Sequence, residues 1–190
     1  MLFEQQTYEQ RNVYREMNTM ATSGGTVFFG TERFAQIPFG ELLQAFRMKE
    51  RVYNRSIGGA RIQKSAELLS ECVLSLKPKK VFLNLGENDL KDSDFDMDAF
   101  ISQYEWILYT IHHATQADVY IVSVLSDDTR TAAVNFRLKK LAEGSGADFI
   151  DVTGALGTET PDLHIFDMMK YYIRSHPIGF ADAMELVTLK

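Results

Sequence analysis

Residues that could carry chemistry follow the short apolar runs of this sequence. Glu32 comes directly after Gly30-Thr31 at the end of the first run, and Asn88 lies just after the third. His176 lies in a later polar stretch. Carboxylate and imidazole side chains are common general acids and bases, and an Asn amide both donates and accepts hydrogen bonds. These residue types suit proton transfer to a bound ligand, provided that the fold brings them together.

Five short apolar runs alternate with helical patterns along the chain. Runs of this length, bounded by glycine and polar residues, are typical of strands that are buried on both faces. The alternation predicts a three-layer α/β/α sandwich with a flavodoxin-like, five-stranded parallel sheet in the order 2-1-3-4-5. The predicted strands are 26–29, 51–54, 81–85, 119–125 and 149–152, and the predicted helices are 4–20, 39–48, 61–76, 96–115, 131–143 and 177–189, with a mixed segment before the last helix.

Ligands of such sheets bind beyond the carboxyl ends of the strands. The residues that follow each strand, and those that open the last helix, are therefore the ones to inspect. They are 30–32 after the first strand, 54–59 after the second, 86–89 after the third, and 176–180 at the start of the last helix.

The bulk properties fit one globular domain. The chain has 190 residues, of which 45% are hydrophobic and 24% charged, a balance that supports a packed core. We expect a single domain over 1–190, with residues 1–22 as an N-terminal helical extension. The formal net charge of -6 gives no electrostatic reason to expect a nucleic-acid partner.

The sequence favours a cytoplasmic protein without a cofactor or metal. The first twenty residues lack the apolar core of a secretory signal, and no apolar stretch is long enough to span a membrane. Cys72 is the one cysteine, so no internal disulfide can form, and we expect it to be a buried apolar side chain. The alternating carboxylates of 91–98 lack the glycine and final glutamate of a calcium loop, and His112-His113 point in different directions on a helix.

Four blocks of the sequence resemble, in order, those of the SGNH (GDSL-type) hydrolase family. They read VFFG, YNRSIGGA, FLNLGENDL and SHPIGF, and the spelling is most similar to the branch related to platelet-activating-factor acetylhydrolase. The family has a strand ending in Gly-Asp-Ser, a glycine loop after the second strand, a Gly-x-Asn-Asp block, and an Asp-x-x-His before the last helix. The resemblance implies a lipase or acylhydrolase of the flavodoxin-like class.

The residues carried over from that resemblance are incomplete. It places Thr31 where the family has the aspartate of Gly-Asp-Ser, Glu32 at the serine nucleophile, and Ile173 at the aspartate of the triad. It assigns His176 as the base. The remaining oxyanion-stabilising or ligand-binding positions that it implies are Gly59 and Asn88, with Gly30 and Thr31 beside them.

Without a serine nucleophile, we expect weak ester hydrolysis or none. A Glu32 carboxylate that attacked an ester would form a mixed anhydride, a poor resting intermediate. One alternative is an active esterase in which Glu32 and His176 activate a water, with an oxyanion hole formed by Gly59 and Asn88. Another is a non-catalytic module that binds a small acylated or glycan-like ligand or associates with itself. The resemblance also implies a homodimer.

Each candidate residue also has a purely structural interpretation. Glu32 could be a solvated carboxylate at a helix start, and His176 a neighbour of a helix cap. Asn88 could fold its amide onto its own loop, and Gly59 could serve a turn that needs a positive φ. Thr31 and Ser56 remain as alternative hydroxyl nucleophiles, and the sequence does not decide between these roles.

Overall fold

A five-stranded parallel sheet forms the centre of the molecule. The computed structural model describes residues 2–174, so His176 and the predicted helix 177–189 lie outside the described residues. The strands run in the order β2-β1-β3-β4-β5, and every pairing is parallel, which confirms the predicted fold class. The strands are β1 Thr26–Gly30, β2 Val52–Asn54, β3 Lys80–Asn84, β4 Asp118–Val122 and β5 Asp148–Ile150.

Helices cover both faces of this sheet. They are α1 Leu2–Met20, α2 Glu32–Gln36, α3 Phe39–Ala45, α4 Ile62–Cys72, α5 Met97–Ala114, α6 Thr131–Ser145 and α7 Pro161–Ile173, with short 3-10 turns at Leu74–Leu76 and Thr153–Ala155. None of the helices within residues 2–174 has the length and apolar character needed to cross a membrane.

The alternation of side chains along the strands divides the core into two clusters. Phe28, Phe82 and Tyr120 stack across three neighbouring strands, with ring centroids 4.7 Å and 4.6 Å apart, on the face covered by α2, α3 and α7. Val27 and Val81 point to the opposite face, where α4, α5 and α6 pack. Successive strand residues face opposite sides of a sheet, so each apolar run supplies both clusters.

Helix α1 packs against α4 and forms ion pairs with it. Arg11 and Arg15 both contact the carboxylate of Glu71, and Asn18 donates from its side-chain amide to the Glu71 carbonyl oxygen at 2.7 Å. Cys72, at the end of α4, is fully buried as expected, and burial raises the pKa of its thiol to about 12. The thiol therefore acts as an apolar side chain.

Three elements differ from the sequence-based expectation. The short α2 is not predicted from the sequence, and α7 lies within 153–176, for which the sequence predicts only a mixed segment. Its buried residues Ile165, Phe166, Met169 and Ile173 have helical spacing, and Pro161 occupies the first turn, where a missing N–H costs nothing. The predicted helix 61–76 ends as an α-helix at Cys72, before the 3-10 turn.

Candidate functional site

The edge of the sheet beyond β1 and β3 is built by a close approach of two backbones. Gly30 ends β1 opposite Asn84 of β3, and a Cβ atom on Gly30 would lie only 2.8 Å from the Asn84 carbonyl oxygen. The same Cβ would lie 3.0 Å from Cβ of Phe34 in α2. A glycine is therefore required at this position if α2 is to start directly after β1, and this start places Glu32 at the carboxyl edge.

The carboxylate of Glu32 is held in place by the loop that follows β2. Oε2 accepts a hydrogen bond from the backbone N–H of Gly59 at 2.9 Å, and Oε1 accepts one from Nε2 of Gln36 at 2.8 Å. Gly59 has a φ of +77°, a left-handed conformation that glycine adopts without strain. Gly59 therefore serves a turn that needs a positive φ, and it also contacts the candidate site.

Asn88 lies on the neighbouring loop with its side chain largely committed to protein partners. It is 8% exposed; its Nδ2 donates to the Ala60 carbonyl oxygen at 3.3 Å, and its Oδ1 accepts from Nζ of Lys91 at 2.9 Å. These contacts tie the loop after β3 to the loop after β2. The structure thus brings Glu32, Gly59 and Asn88 to one edge of the sheet, as the sequence predicts.

Two carboxyl groups beside Asn88 are buried enough to alter their ionisation. Burial raises the pKa of Asp89 to about 6, although both of its oxygens accept from the N–H of Ile62, at 3.0 Å and 3.2 Å, where α4 begins. Burial also raises the pKa of Glu87, with Lys91 and Arg33 opposing the shift and the nearby charge of Glu32 adding to it. Glu87 therefore belongs to the same electrostatic cluster as Glu32.

Several solved structures share this architecture. A protein from Streptococcus pneumonia described as a platelet activating factor superposes with a TM-score of 0.79 at 17% identity, covering 91% of this chain and 95% of the other. A GDSL-like lipase from Bacteroides thetaiotaomicron gives a TM-score of 0.68 at 16% identity over 93% and 98% of the two chains. An acetylxylan esterase from Geobacillus stearothermophilus gives 0.60 at 17% identity over 88% and 92%. This chain has the SGNH-hydrolase fold.

The likeness is one of structure. No family profile matches the sequence, and a comparison with curated proteins finds no match.

The two hydroxyl groups considered as alternative nucleophiles are enclosed by the SGNH fold. Thr31 is fully buried, and its Oγ1 has no hydrogen-bond partner among the described residues. Ser56 is 3% exposed; its Oγ accepts from the N–H of Gly30 at 3.0 Å and donates to the Phe28 carbonyl oxygen at 3.5 Å. Ser56 thus ties the loop after β2 to β1 in this conformation, and the Thr31 side chain lies enclosed at the start of α2.

Helix α7 brings a further acidic residue to the same edge of the SGNH fold. Asp162, in the first turn of α7, pairs with Arg33 of α2, with Oδ1 and Nη1 3.3 Å apart. Sequence analysis missed this contact. The signal that was available is Pro161, because proline is favoured in the first turn of a helix and a helix after β5 must begin at the carboxyl edge.

Ile173 lies at the other end of α7. The helix rises about 1.5 Å per residue, which places Ile173 about 16 Å along the axis from Asp162. Nζ of Lys80, the first residue of β3, donates to the carbonyl oxygens of Tyr172 and Arg174 at 2.6 Å and 2.7 Å. Ile173 is fully buried at this amino end of the sheet. The structure therefore does not bring Ile173 together with Glu32, and His176 lies outside the described residues.

Within residues 2–174, no group of three or more His, Cys, Asp or Glu side chains could hold a metal ion. In the acidic run 91–98, Asp96 instead accepts from the N–H groups of Asp98 and Ala99 at 2.9 Å and 3.0 Å and so caps α5. His164 is exposed, with Nδ1 3.0 Å from the Thr160 carbonyl oxygen.

Proposed function

We propose that this SGNH-fold chain binds a small ligand at the edge around Glu32 and hydrolyses esters weakly or not at all. One observation carries the proposal: Oε2 of Glu32 accepts the N–H of Gly59 at 2.9 Å. The resemblance implies that this N–H stabilises the oxyanion of a reacting ester. In this chain the Glu32 side chain already occupies that donor.

The chemistry of the carboxylate supports the same conclusion. A developing oxyanion beside Glu32 would meet a like charge instead of a free donor, which raises the barrier to acyl transfer. Attack by Glu32 itself would leave a mixed anhydride on the protein. The residue at the nucleophile position therefore opposes the family reaction in two independent ways.

The position that the resemblance gives to the triad acid does not serve the Glu32 edge. Ile173 is buried at the amino end of the sheet, beside the carbonyl groups that accept from Lys80, and it has a packing role there.

We infer the class of ligand from the neighbours in structure. Proteins with this fold include a GDSL-like lipase and an acetylxylan esterase, so an acylated or glycan-like ligand is the first class to test on this chain. Binding without turnover should raise the unfolding temperature with increasing ligand concentration.

Hydrolysis of p-nitrophenyl acetate tests the proposal directly. We expect the wild type to match the buffer rate, and Glu32→Gln to do the same. The control is Glu67→Gln, which removes an exposed carboxylate on α4. Turnover well above buffer that Glu32→Gln abolishes and Glu67→Gln retains would establish instead an esterase in which Glu32 activates water.

Self-association through α1 is a second candidate role. Four large apolar side chains of α1 are exposed, namely Tyr8 (62%), Val13 (48%), Met17 (44%) and Met20 (80%). Val13, Met17 and Met20 are spaced by four and three residues, so they lie on one side of the helix. Light scattering should report a dimer that Met17→Glu dissociates; a monomeric wild type would reject this role.

A further inference from the structure

A pocket of about 340 Å³ lies between α1 and the loop that follows β2. Thr7, Gln10 and Tyr14 of α1 line one side, and Ala35 of α2 lines another with residues 56–58 of the loop. None of the described residues that line the pocket is charged, and Thr7, Gln10, Tyr14 and Ser56 are polar. An anionic group would find no counter-charge among these residues, whereas a hydroxyl group would find a donor and an acceptor on the Gln10 amide.

The pocket adjoins the Glu32 carboxylate through one glycine. Gly58 forms part of the wall, and a Cβ atom on it would lie 3.3 Å from Oε2 of Glu32. Ala35, which also lines the pocket, lies three residues after Glu32 on α2 and so on the same side of that helix. A ligand seated in the pocket would therefore reach a strong hydrogen-bond acceptor at its edge.

The wall formed by α1 is held rigidly. The hydroxyl of Tyr14 donates to the Ser56 carbonyl oxygen at 2.6 Å, and burial raises the pKa of Tyr14 to about 12, so that it keeps its proton. Arg55 is 3% exposed; its guanidinium lies 5.1 Å from the Tyr14 ring centroid and 5.3 Å from that of Tyr53. Its Nε donates to Oδ1 of Asn18 at 3.0 Å. A preformed wall reduces the entropy lost on binding.

We propose that this pocket binds the hydroxyl-bearing part of a small neutral ligand, such as a monosaccharide or cyclic polyol, and that Glu32 accepts a hydrogen bond from one of its hydroxyl groups. Gln10, whose amide also hydrogen-bonds to Tyr14, offers its remaining amide donor and acceptor to hydroxyl groups in preference to apolar ones. The volume is within the range of small-molecule sites. The inference rests on the binding role proposed for the Glu32 edge and adds to it the chemistry of the ligand.

The test is a titration of the full chain followed by backbone amide shifts in NMR spectra. The probes are D-glucose, D-xylose and myo-inositol, with sodium butyrate as a charged, apolar comparison. We expect at least one neutral probe to move the signals of Gln10, Ile57 and Gly58 in a saturable way, and butyrate to leave them unchanged. Saturable shifts with butyrate alone, or none with any probe, would overturn the proposal.

Variants decide whether the shifts report this pocket. Gln10→Leu should weaken binding about tenfold, the effect of one lost hydrogen bond of about 1.4 kcal/mol. Gln63→Leu removes an exposed amide on α4 and should leave binding unchanged. Ala35→Leu places a larger side chain in the pocket from an exposed position on α2, and it should abolish the ligand-induced shifts. Affinity unaffected by both pocket variants would contradict the assignment.

The outcome is separable from that of the proposed function. Binding is read here without turnover, so ester hydrolysis by the wild type would reject the non-catalytic role and leave the titration result intact. Absence of binding by every probe would reject the pocket proposal. It would not bear on ester hydrolysis, which the p-nitrophenyl acetate assay measures separately.

Discussion

Glu32 and Gly59 are joined by a hydrogen bond of 2.9 Å that connects the first turn of α2 to the loop after β2. The donor is the N–H of a glycine in the left-handed conformation, and the acceptor is a side chain 27 positions earlier. The bond therefore fixes the loop, and it occupies the N–H of Gly59, which under the proposed function is no longer free to stabilise an ester oxyanion.

Removing this acceptor should loosen the loop. In Glu32→Ala the N–H of Gly59 loses its partner, so we expect its amide hydrogen to exchange faster and the free energy of unfolding to fall by about 1 kcal/mol. Glu32→Gln keeps an acceptor oxygen and should show a smaller effect on both. Hydrogen exchange by NMR and urea unfolding measure the two quantities.

Glu67→Ala provides the comparison for this prediction, because Glu67 is an exposed glutamate of α4 whose ion pair is with Lys64 and not with the loop. It should leave the exchange of the Gly59 amide unchanged. Equal exchange of that amide in wild type and Glu32→Ala would show that the hydrogen bond does not hold the loop.

Gly30 and Gly40 should respond in opposite directions to substitution by alanine. A Cβ at Gly30 would lie 2.8 Å from the Asn84 carbonyl oxygen, so Gly30→Ala should lower the free energy of unfolding by about 1–3 kcal/mol through overpacking. A Cβ at Gly40, within α3, meets nothing within 4 Å. Gly40→Ala should stabilise by about 0.5–1 kcal/mol. Denaturant unfolding of both variants checks the sign, and stabilisation by Gly30→Ala would contradict the close approach.

Asp89 should make the protein more stable at mildly acidic pH. Burial raises its pKa to about 6 from 3.8, so between these values the folded state binds more protons than the unfolded chain. Stability from this group is fully present below about pH 4 and is lost as the pH rises through 6, by about 1–3 kcal/mol. Asp89→Asn should remove that dependence while Asn still accepts from Ile62.

The difference between the free energies of unfolding of wild type and Asp89→Asn, measured from pH 4 to 7, isolates this contribution. The other carboxyl groups contribute equally to both proteins and cancel in the difference. Asp94→Asn, an exposed position in the loop before α5, should follow the wild-type curve. A difference between wild type and Asp89→Asn that is flat with pH would reject the raised pKa.

The sheet could be predicted from the sequence because each strand is short, apolar and separated by a helical pattern. Helix α7 could not, and its surface explains why. Leu163, Met168, Tyr171 and Tyr172 are 38–47% exposed on the side opposite the buried residues, so apolar residues surround the helix and obscure its period. A pattern method recognises a helix by one apolar stripe, and α7 has apolar residues on both sides.

The candidate site was predictable in position but not in its contacts. The order of strands alone places Glu32, Gly59 and Asn88 at one edge, because the carboxyl ends of parallel strands meet there. The bond from Glu32 to Gly59 depends on the dihedral angles of two loops, which residue types do not determine. The role of Asp89 was detectable in principle, since Arg61 offers no side-chain cap to α4 and another acceptor is required.

Asp96 should contribute to stability as a helix cap. It accepts from the N–H groups of Asp98 and Ala99, and the loss of such a cap costs about 1 kcal/mol. Asp96→Ala should therefore lower the free energy of unfolding by that amount, whereas Asp96→Asn and the loop variant Asp94→Ala should be close to wild type in thermal or urea unfolding. Equal losses in Asp94→Ala and Asp96→Ala would indicate a general charge effect instead.

Replacing Glu32 by serine should reveal which histidine can act as a base. Glu32→Ser frees the N–H of Gly59 and introduces a hydroxyl at the nucleophile position, so we expect slow hydrolysis of p-nitrophenyl acetate to appear. His164 lies near the start of α7, the end of the helix that the contact between Asp162 and Arg33 places at the carboxyl edge. We therefore expect the gain to be lost in Glu32→Ser with His164→Ala.

The matched variant is Glu32→Ser with His176→Ala, since His176 is the base that the order of the sequence blocks implies. Loss of the gained activity in this variant, with His164→Ala retaining it, would return the base to His176 and contradict our expectation. The contact between α7 and α2 favours His164, because that end of α7 lies at the carboxyl edge and Ile173 lies at the amino end beside Lys80. The size of the gain should be small, since Nδ1 of His164 contacts Thr160 and no described carboxylate accepts a hydrogen bond from it, and an imidazole without a carboxylate partner is a weaker base catalyst.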